Sequence, residues 1–323
     1  MTTPLLPVDY FNGDADGLCA LQQLRLTEPG PNVLVTGVKR DIHLAGHCLP
    51  PPGSRVTILD VGFKTNRRDV ERMLEQGCTV RYFDHHKPGE IPTHPRLEVH
   101  IDEDPKVCTS LIMDRHLGGA HRAWAVVGAF GDNMRASATA AAAELGLTDQ
   151  ALDKLRLLGE LLNYNGYGED LADLHFHPAD LFRHLHPFDD PLEFLAQSPQ
   201  AQTLAEGYEA DLKEADGRAP DLDEAVGRVF RYPGEAWARR VMGVQANRLA
   251  NEKPDGATAL CVDNADGSLR ISIRAPLNRP QGAGDLCGQF PTGGGRAGAG
   301  GINALPPSDY PRFLEAFRAA FPQ

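Results

Sequence analysis

Arg81-Tyr82-Phe83-Asp84-His85-His86 closes an apolar run that begins at Thr79, and it sets one carboxylate and two imidazoles in consecutive positions. Burying such groups in a core is costly unless each is paired. A bound metal would pair them. Three other segments share the design. Asn12-Gly13-Asp14-Ala15-Asp16-Gly17 follows the apolar Val8 to Phe11, and Asp60 follows Val56-Thr57-Ile58-Leu59. Asp132 follows Ala125-Val126-Val127-Gly128-Ala129-Phe130-Gly131, and all four acidic segments are read as arriving where a strand ends.

The first 130 residues alternate short, partly β-branched runs with helical stretches: Val8 to Phe11 then Leu18 to Leu26, Val33 to Val35, Val56 to Val61 then Asn66 to Glu75, and Thr79 to Phe83. That alternation predicts an α/β domain with a largely parallel sheet. Ligands of such sheets collect beyond the carboxyl ends of the strands, which is where these acids fall. Helices are expected from Val107 to Leu162, including the Ala-rich Ala136 to Ala143. Composition then shifts through Asn163 to Pro220, a partly helical connection. A second α/β pattern follows, with strands over Ala225 to Tyr232, Ala257 to Asp263 and Ser268 to Arg274, and helices over Ala236 to Ala250 and Ser308 to Phe321. The predicted domains are 1–165, a connector over 166–220, and 221–323.

Forty-one per cent hydrophobic and 24 per cent charged residues over 323 positions is globular composition, long enough for two domains. The net charge of −12 argues against a protein that wraps long nucleic acid, which needs a basic footprint. Short anionic substrates stay open, because local arginines and bound cations can attract them. Six cysteines (Cys19, Cys48, Cys78, Cys108, Cys261 and Cys287) form no C-x-x-C pair and fit reduced thiols. With no basic leader and no apolar run near the roughly 18 residues of a membrane span, a cytoplasmic protein is expected. The sequence is also compatible with a homodimer.

Asp14, Asp16, Asp60, Asp84 and Asp132 supply five carboxylates and His85 an imidazole. Such a mixed oxygen and nitrogen set suits Mn²⁺ or a similar ion. Two divalent cations would offset the mutual repulsion of the acids and activate a water, as in many phosphohydrolases. Asn12-x-Asp14-x-Asp16-Gly17 also imitates the start of an EF-hand loop, but Gln23 stands where that loop needs Glu. Taken singly, Asp60 or Asp132 reads as a helix cap or surface residue.

Together these motifs resemble the DHH phosphoesterase superfamily, which includes RecJ-type exonucleases, oligoribonucleases, cyclic-dinucleotide phosphodiesterases, polyphosphatases and family II pyrophosphatases. Asp84-His85-His86 matches the name-giving motif, Asp14-x-Asp16-Gly17 the first, Asp60 the second and Gly128-x-x-x-Asp132 the fourth. The resemblance implies two Mn²⁺ ions, with Mg²⁺ or Co²⁺ as alternatives. Asp60 would bridge them, Asp14 and Asp84 would ligate one or both, and Asp16, His85 and Asp132 would complete the set. His86 would meet the substrate phosphate or its leaving group, making His86 and Asp84 the catalytic pair. The chain departs from the pattern at Tyr10, where many members carry His, and at Asn12, where RecJ-type members carry Asp. The amide oxygen of Asn12 is therefore a candidate ligand.

Gly293-Gly294-Gly295-Arg296-Ala297-Gly298-Ala299-Gly300-Gly301 cannot be a helix interior, at about 1 kcal/mol per Gly. Read from its residues, it is either a phosphate cradle, with Arg296 adding a bidentate contact, or a flexible surface loop. It resembles the Gly-Gly-Gly-His-x-x-Ala-x-Gly signature of the DHH-associated domain, with Arg296 in place of His. Arg274 fits that domain's strand arginine, Gly294 and Gly295 its phosphate-facing backbone, and Arg279 is a further candidate. A guanidinium in place of an imidazole favours a more anionic ligand. The aromatics of Asn163-Tyr164-Asn165-Gly166-Tyr167-Gly168 either stack on a base or form a buried, hydrogen-bonded turn. His175, His177, His184 and His186, set among prolines, read as a surface connection. The expected protein is a two-domain α/β hydrolase with its active site in the interdomain cleft, acting on a short oligonucleotide, small nucleotide or short polyphosphate. The alternative is a non-catalytic nucleotide or polyphosphate sensor.

Overall fold

β1 (Val8–Phe11), β2 (Val33–Thr36), β3 (Arg55–Leu59), β4 (Thr79–Asp84) and β5 (Leu97–Ile101) form one sheet in the order β2-β1-β3-β4-β5, parallel at every pairing. This computed structural model describes residues 5–321, so the first four residues of the leader reading lie outside the described residues. Phe11 pairs with Leu59 and Leu59 with Phe83, so three strands end level. The Asn12 N–H donates to the Leu59 carbonyl and the Asp60 N–H to that of Phe83, carrying the ladder one residue further. Strand order reverses between β1 and β3, the position at which open parallel sheets bind ligands. Asp14 and Asp60 follow those two strands. β5 was missed in the sequence, although Leu97-Glu98-Val99-His100-Ile101 alternates with the period of a strand.

α1 (Ala15–Thr27) follows β1 and α2 (Phe63–Glu75) follows β3. They are followed by α3 (Thr109–His116), α4 (Arg122–Gly131), α5 (Arg135–Ala142), α6 (Asp149–Gly166), α7 (Pro178–Leu185), α8 (Pro191–Gln197) and α9 (Pro199–Asp216). Val8, Tyr10, Val56, Ile58, Val80 and Tyr82 pack with Phe63, Val70 and Met73 of α2 in one core. α1 is buried along most of its length among α3, α4 and α6. That close approach needs Gly128, because a methyl group there would overlap the Ser110 side chain. The run Ala125 to Gly131 is thus helix α4 and not a strand. Asp132 caps its C-terminal end, and a short apolar run cannot by itself separate a buried strand from a buried helix.

The chain divides into two compact units between Glu206 and Gly207. α7 packs on α1 and β2, and α8 on α4 and α6. The second unit contains β6 (Leu222–Glu224), β7 (Gly227–Tyr232), α10 (Ala236–Glu252), β8 (Ala257–Asp263), β9 (Leu269–Arg274), α11 (Ala283–Cys287), β10 (Gly293–Gly295), β11 (Ala299–Leu305) and α12 (Tyr310–Ala320). Its sheet runs β10-β11-β9-β8-β7-β6, and only the β7–β8 pair is parallel. The predicted strand Ala225 to Tyr232 is in fact β7 preceded by a separate antiparallel partner, β6. Among the described residues, no helix is long and apolar enough to cross a membrane.

Candidate metal centre

Asp14 ends the turn after β1 and is the N-cap of α1: its Oδ1 accepts the N–H groups of Asp16 and Gly17, both at 3.1 Å. A carboxylate is favoured there by the helix dipole. Asp16 reaches the start of another helix, and its two oxygens accept the Thr109 and Ser110 N–H groups of α3 at 2.8 Å each. Asp60 has a left-handed backbone (φ 57°), a conformation that costs on the order of 1–3 kcal/mol for a residue with a side chain. Its Oδ1 accepts from the Thr109 hydroxyl at 3.2 Å.

His85 lies beside Asp60. Its Nδ1 is 3.0 Å from the Val107 carbonyl oxygen. The N–H donates there, which leaves Nε2 facing Asp60 Oδ1 at 3.5 Å and Asp132 Oδ2 at 3.8 Å. Burial opposes protonation of His85, but the carboxylates of Asp60, Asp16 and Asp132 outweigh it and push the ring up to about 10. Burial pushes Asp60 well above the usual carboxylate range, with Asp14 and Asp16 adding to the effect. Burial raises Asp132 as well. His86 is the most exposed member of the motif, and its Nδ1 lies 2.7 Å from Asp84 Oδ1. Donor atoms of Asp60, His85 and His86 all lie within 4.8 Å of one another.

Two observations test whether this set fits divalent cations. Asp84 is fully buried, yet among the described residues its Oδ2 has no hydrogen-bond partner, and the buried Oδ1 of Asn12 has none either. Buried acceptors are normally satisfied. Two orphaned oxygens beside the crowded carboxylates of Asp60 and Asp132, with His85 Nε2 facing both, form a donor set that a cation would satisfy by displacing the ring proton. The residues fit.

No protein-family profile matches this sequence, and no curated protein matches it either. Solved structures do. A manganese-bound exonuclease RecJ superposes with a TM-score of 0.56 at 19% identity, over 98% of this chain and 89% of that one. The RecJ of Thermus thermophilus with Mn²⁺ gives 0.61 at 20% identity, over 98% of this chain and 52% of that one. The pGpG-specific phosphodiesterase PggH of Vibrio cholerae gives 0.55 at 16% identity over 98% of both chains. The chain has a RecJ-like fold.

In this fold Tyr10 is a core residue and does not face the acids. It lies in the core of the first unit, and its hydroxyl donates to the Cys48 carbonyl at 2.5 Å. Lys39 went unnoticed in the sequence. Its ammonium contacts Asp14 Oδ2 at 2.5 Å, Asn163 Oδ1 at 3.1 Å and Asp132 Oδ1 at 3.4 Å, and lies 5.6 Å from the centre of the Tyr167 ring. Burial works to lower Lys39, but Asp14, Tyr167 and Asp132 hold it well above its ordinary value. Burial likewise works to raise Asp14, and Lys39 overcomes it and holds that carboxyl below the usual range. Lys39 follows the C-terminal end of β2, on the side where the acids lie. Val107 and Thr109, which steady His85 and Asp60, gave no sign in the sequence.

Asn163 to Gly166 are the last residues of α6 rather than a turn. Asn163 and Tyr167 border Lys39. Tyr164 is buried with its hydroxyl 2.7 Å from His175 Nε2, and Asn165 bonds the Phe176 backbone in both directions. His177 caps α7. In the second unit Arg274 pairs with Ala299, which puts it at the same sheet end as the Arg296 turn. Its guanidinium donates to Asn247 Oδ1 at 2.7 Å and Ser272 Oγ at 3.1 Å. The glycine-rich stretch is the β10–β11 hairpin and not a loop. A side chain at Gly293 would overlap the Cys287 carbonyl and one at Gly295 the β11 backbone, so the close neighbour these two glycines admit is the protein's own backbone. Gly294 alone faces open space.

Proposed function

We propose that the chain is a metal-dependent phosphohydrolase acting on short phosphate-containing polyanions, with the phosphodiester of a dinucleotide as the first candidate and the phosphoanhydride of a short polyphosphate the next. The observation that carries this reading is the convergence of Asp14, Asp16, Asp60, Asp84, His85 and Asp132 beyond the strand ends of one sheet, with Asp84 Oδ2 and Asn12 Oδ1 unpartnered. Two Mn²⁺ ions held by these residues would supply an activated water and a sink for phosphoryl charge. His86, oriented by Asp84 through Nδ1, presents Nε2 to the transferring group and can hold or give a proton to the leaving oxygen. Arg274, braced by Asn247 and Ser272, and Arg296 would clamp the remaining phosphates, with the open Gly294 backbone beside them. The net charge and the match to PggH over 98% of both chains support a short substrate.

One observation favours the non-catalytic sensor: Lys39 already neutralises Asp14 and Asp132. A panel comparing a linear dinucleotide, a nucleoside bisphosphate, a cyclic dinucleotide and tripolyphosphate under Mn²⁺, Mg²⁺ and Co²⁺ separates the readings. Hydrolysis of the dinucleotide at the highest rate supports the enzyme. Tight binding without any release of product would replace it with the sensor.

A further inference from the structure

We propose that Glu98 and His100 on β5, with His116 at the C-terminal end of α3, form a second, peripheral site for one transition-metal ion of the Zn²⁺ class. Glu98 and His100 are two apart on a strand and share one face. His116 comes to that face from a different element, and donor atoms of all three lie within 4.8 Å of one another. Glu98 Oε1 and His100 Nε2 are 2.6 Å apart.

The rings are fixed before any ion arrives. His100 stacks on Phe83 at 4.5 Å and 6°, while His116 meets Phe83 edge-on at 5.0 Å and His100 at 4.8 Å. A shared aromatic floor gives the imidazoles little freedom to lose on binding. Among the described residues the His116 ring has no hydrogen-bond partner. Burial, then the neighbouring His100, also push it below its ordinary value, so its lone pair is available at neutral pH. Two neighbouring cations are engaged elsewhere: Arg81 by Glu28 at 2.7 and 2.9 Å, and Arg115 by Asp102 at 2.8 Å.

Two imidazoles and a carboxylate suit Zn²⁺, Ni²⁺ or Cu²⁺ better than Mg²⁺ or Ca²⁺, and three protein ligands leave a position for water. The site is separate from the Asp/His centre, but two elements join them. Phe83 directly precedes Asp84, and the first N–H groups of α3 are those accepted by Asp16. An ion at His116 would tie the far end of that helix to β5, about 12 Å along its axis from the end held by Asp16.

The test uses chelator-stripped full-length protein with Cys48→Ser, which removes the exposed thiol, preloaded with Mn²⁺ and titrated with Zn²⁺ by calorimetry. The parent should bind one equivalent more than either His116→Gln or Glu98→Gln, or bind it at least ~30-fold more tightly. Both substituted side chains are partly exposed, and circular dichroism checks that each variant keeps the fold. Because the readout is a difference of one equivalent, it holds whether or not Mn²⁺ fills the main centre. Equal Zn²⁺ stoichiometry and affinity in parent and both variants would overturn the site, as would binding weaker than millimolar in the parent.

Discussion

The first unit gathers acids at one sheet edge, whereas the second gathers arginines at one sheet end, and the two achieve this by different means. In the first, parallel strands that end level deliver Asn12, Asp60 and Asp84 side by side, and the α4 cap Asp132 joins them. In the second, antiparallel register brings Arg274 to Ala299 and hence to the Arg296 turn, through pairings made by residues far apart in sequence. Parallel strand ends concentrate chemistry by topology, and an antiparallel sheet does so by register. The first kind of site is the easier to read from sequence, and the two should also fail differently when broken.

The largest effect is expected at Asp84. Asp84→Asn keeps an oxygen for His86 but removes the charge of the unpartnered Oδ2. Turnover should fall on the order of 10³-fold, while the melting temperature in chelator stays equal or rises. A variant that hydrolyses substrate at the parental rate would break the metal-based reading of the first unit.

Lys39→Met comes next. Removing the ammonium leaves Asp14 and Asp132 without their shared partner, and breaking such a pair costs about 3 kcal/mol. Urea unfolding in chelator should show that loss. Saturating Mn²⁺ should recover most of it, because divalent cations replace the missing charge. A loss that Mn²⁺ does not reduce would mean Lys39 is a structural pair unrelated to cation binding.

In the second unit the expected change is in binding. Arg274→Ala should raise KM for a dinucleotide about tenfold with kcat little altered, the cost of one charge-assisted contact. Asn247→Leu should shift KM in the same direction by less, since it frees the guanidinium without deleting it. A fall in kcat at unchanged KM would place these residues with the chemistry of the first unit.

How much was legible follows the same division. Val8 to Phe11 and Ala257 to Asp263 were delimited to the residue, because apolar runs bounded by turn residues leave few alternatives. Asp14, Asp60 and His85 lie together, each after an apolar run whose end could be read in the sequence. Lys39 escaped notice because a lone lysine in a loop carries no pattern, and its meaning comes only from Asp14 and Asp132, 25 and 93 residues away. Asp132 was assigned to a strand end because an apolar run alone does not report its own period. The glycine-rich segment suggested an open cradle, since sequence cannot show that the protein's own backbone packs where Gly293 and Gly295 have no side chain.

The smallest effect tests whether residues beyond 166 unfold with the first unit. His186 stacks on Phe182 at 5.2 Å and sits 3.0 Å from Gln22 Oε1 of α1. Burial and then Arg25 hold it below its ordinary value of 6.5. The unfolded chain therefore takes up this proton at higher pH than the folded one. The stability it contributes is complete above pH 6.5 and is lost as the pH falls through the depressed value. His116 and His121 shift the same way, whereas His85, Asp60 and Asp132 shift oppositely, so the readout is a difference: between about pH 7.5 and pH 5.5 the parent's urea midpoint should fall relative to that of His186→Gln. If that relative fall appears in the transition that Mn²⁺ shifts, α7 and the metal centre unfold as one. If it appears in a separate transition, the stretch after Gly166 is energetically distinct from the sheet that it covers.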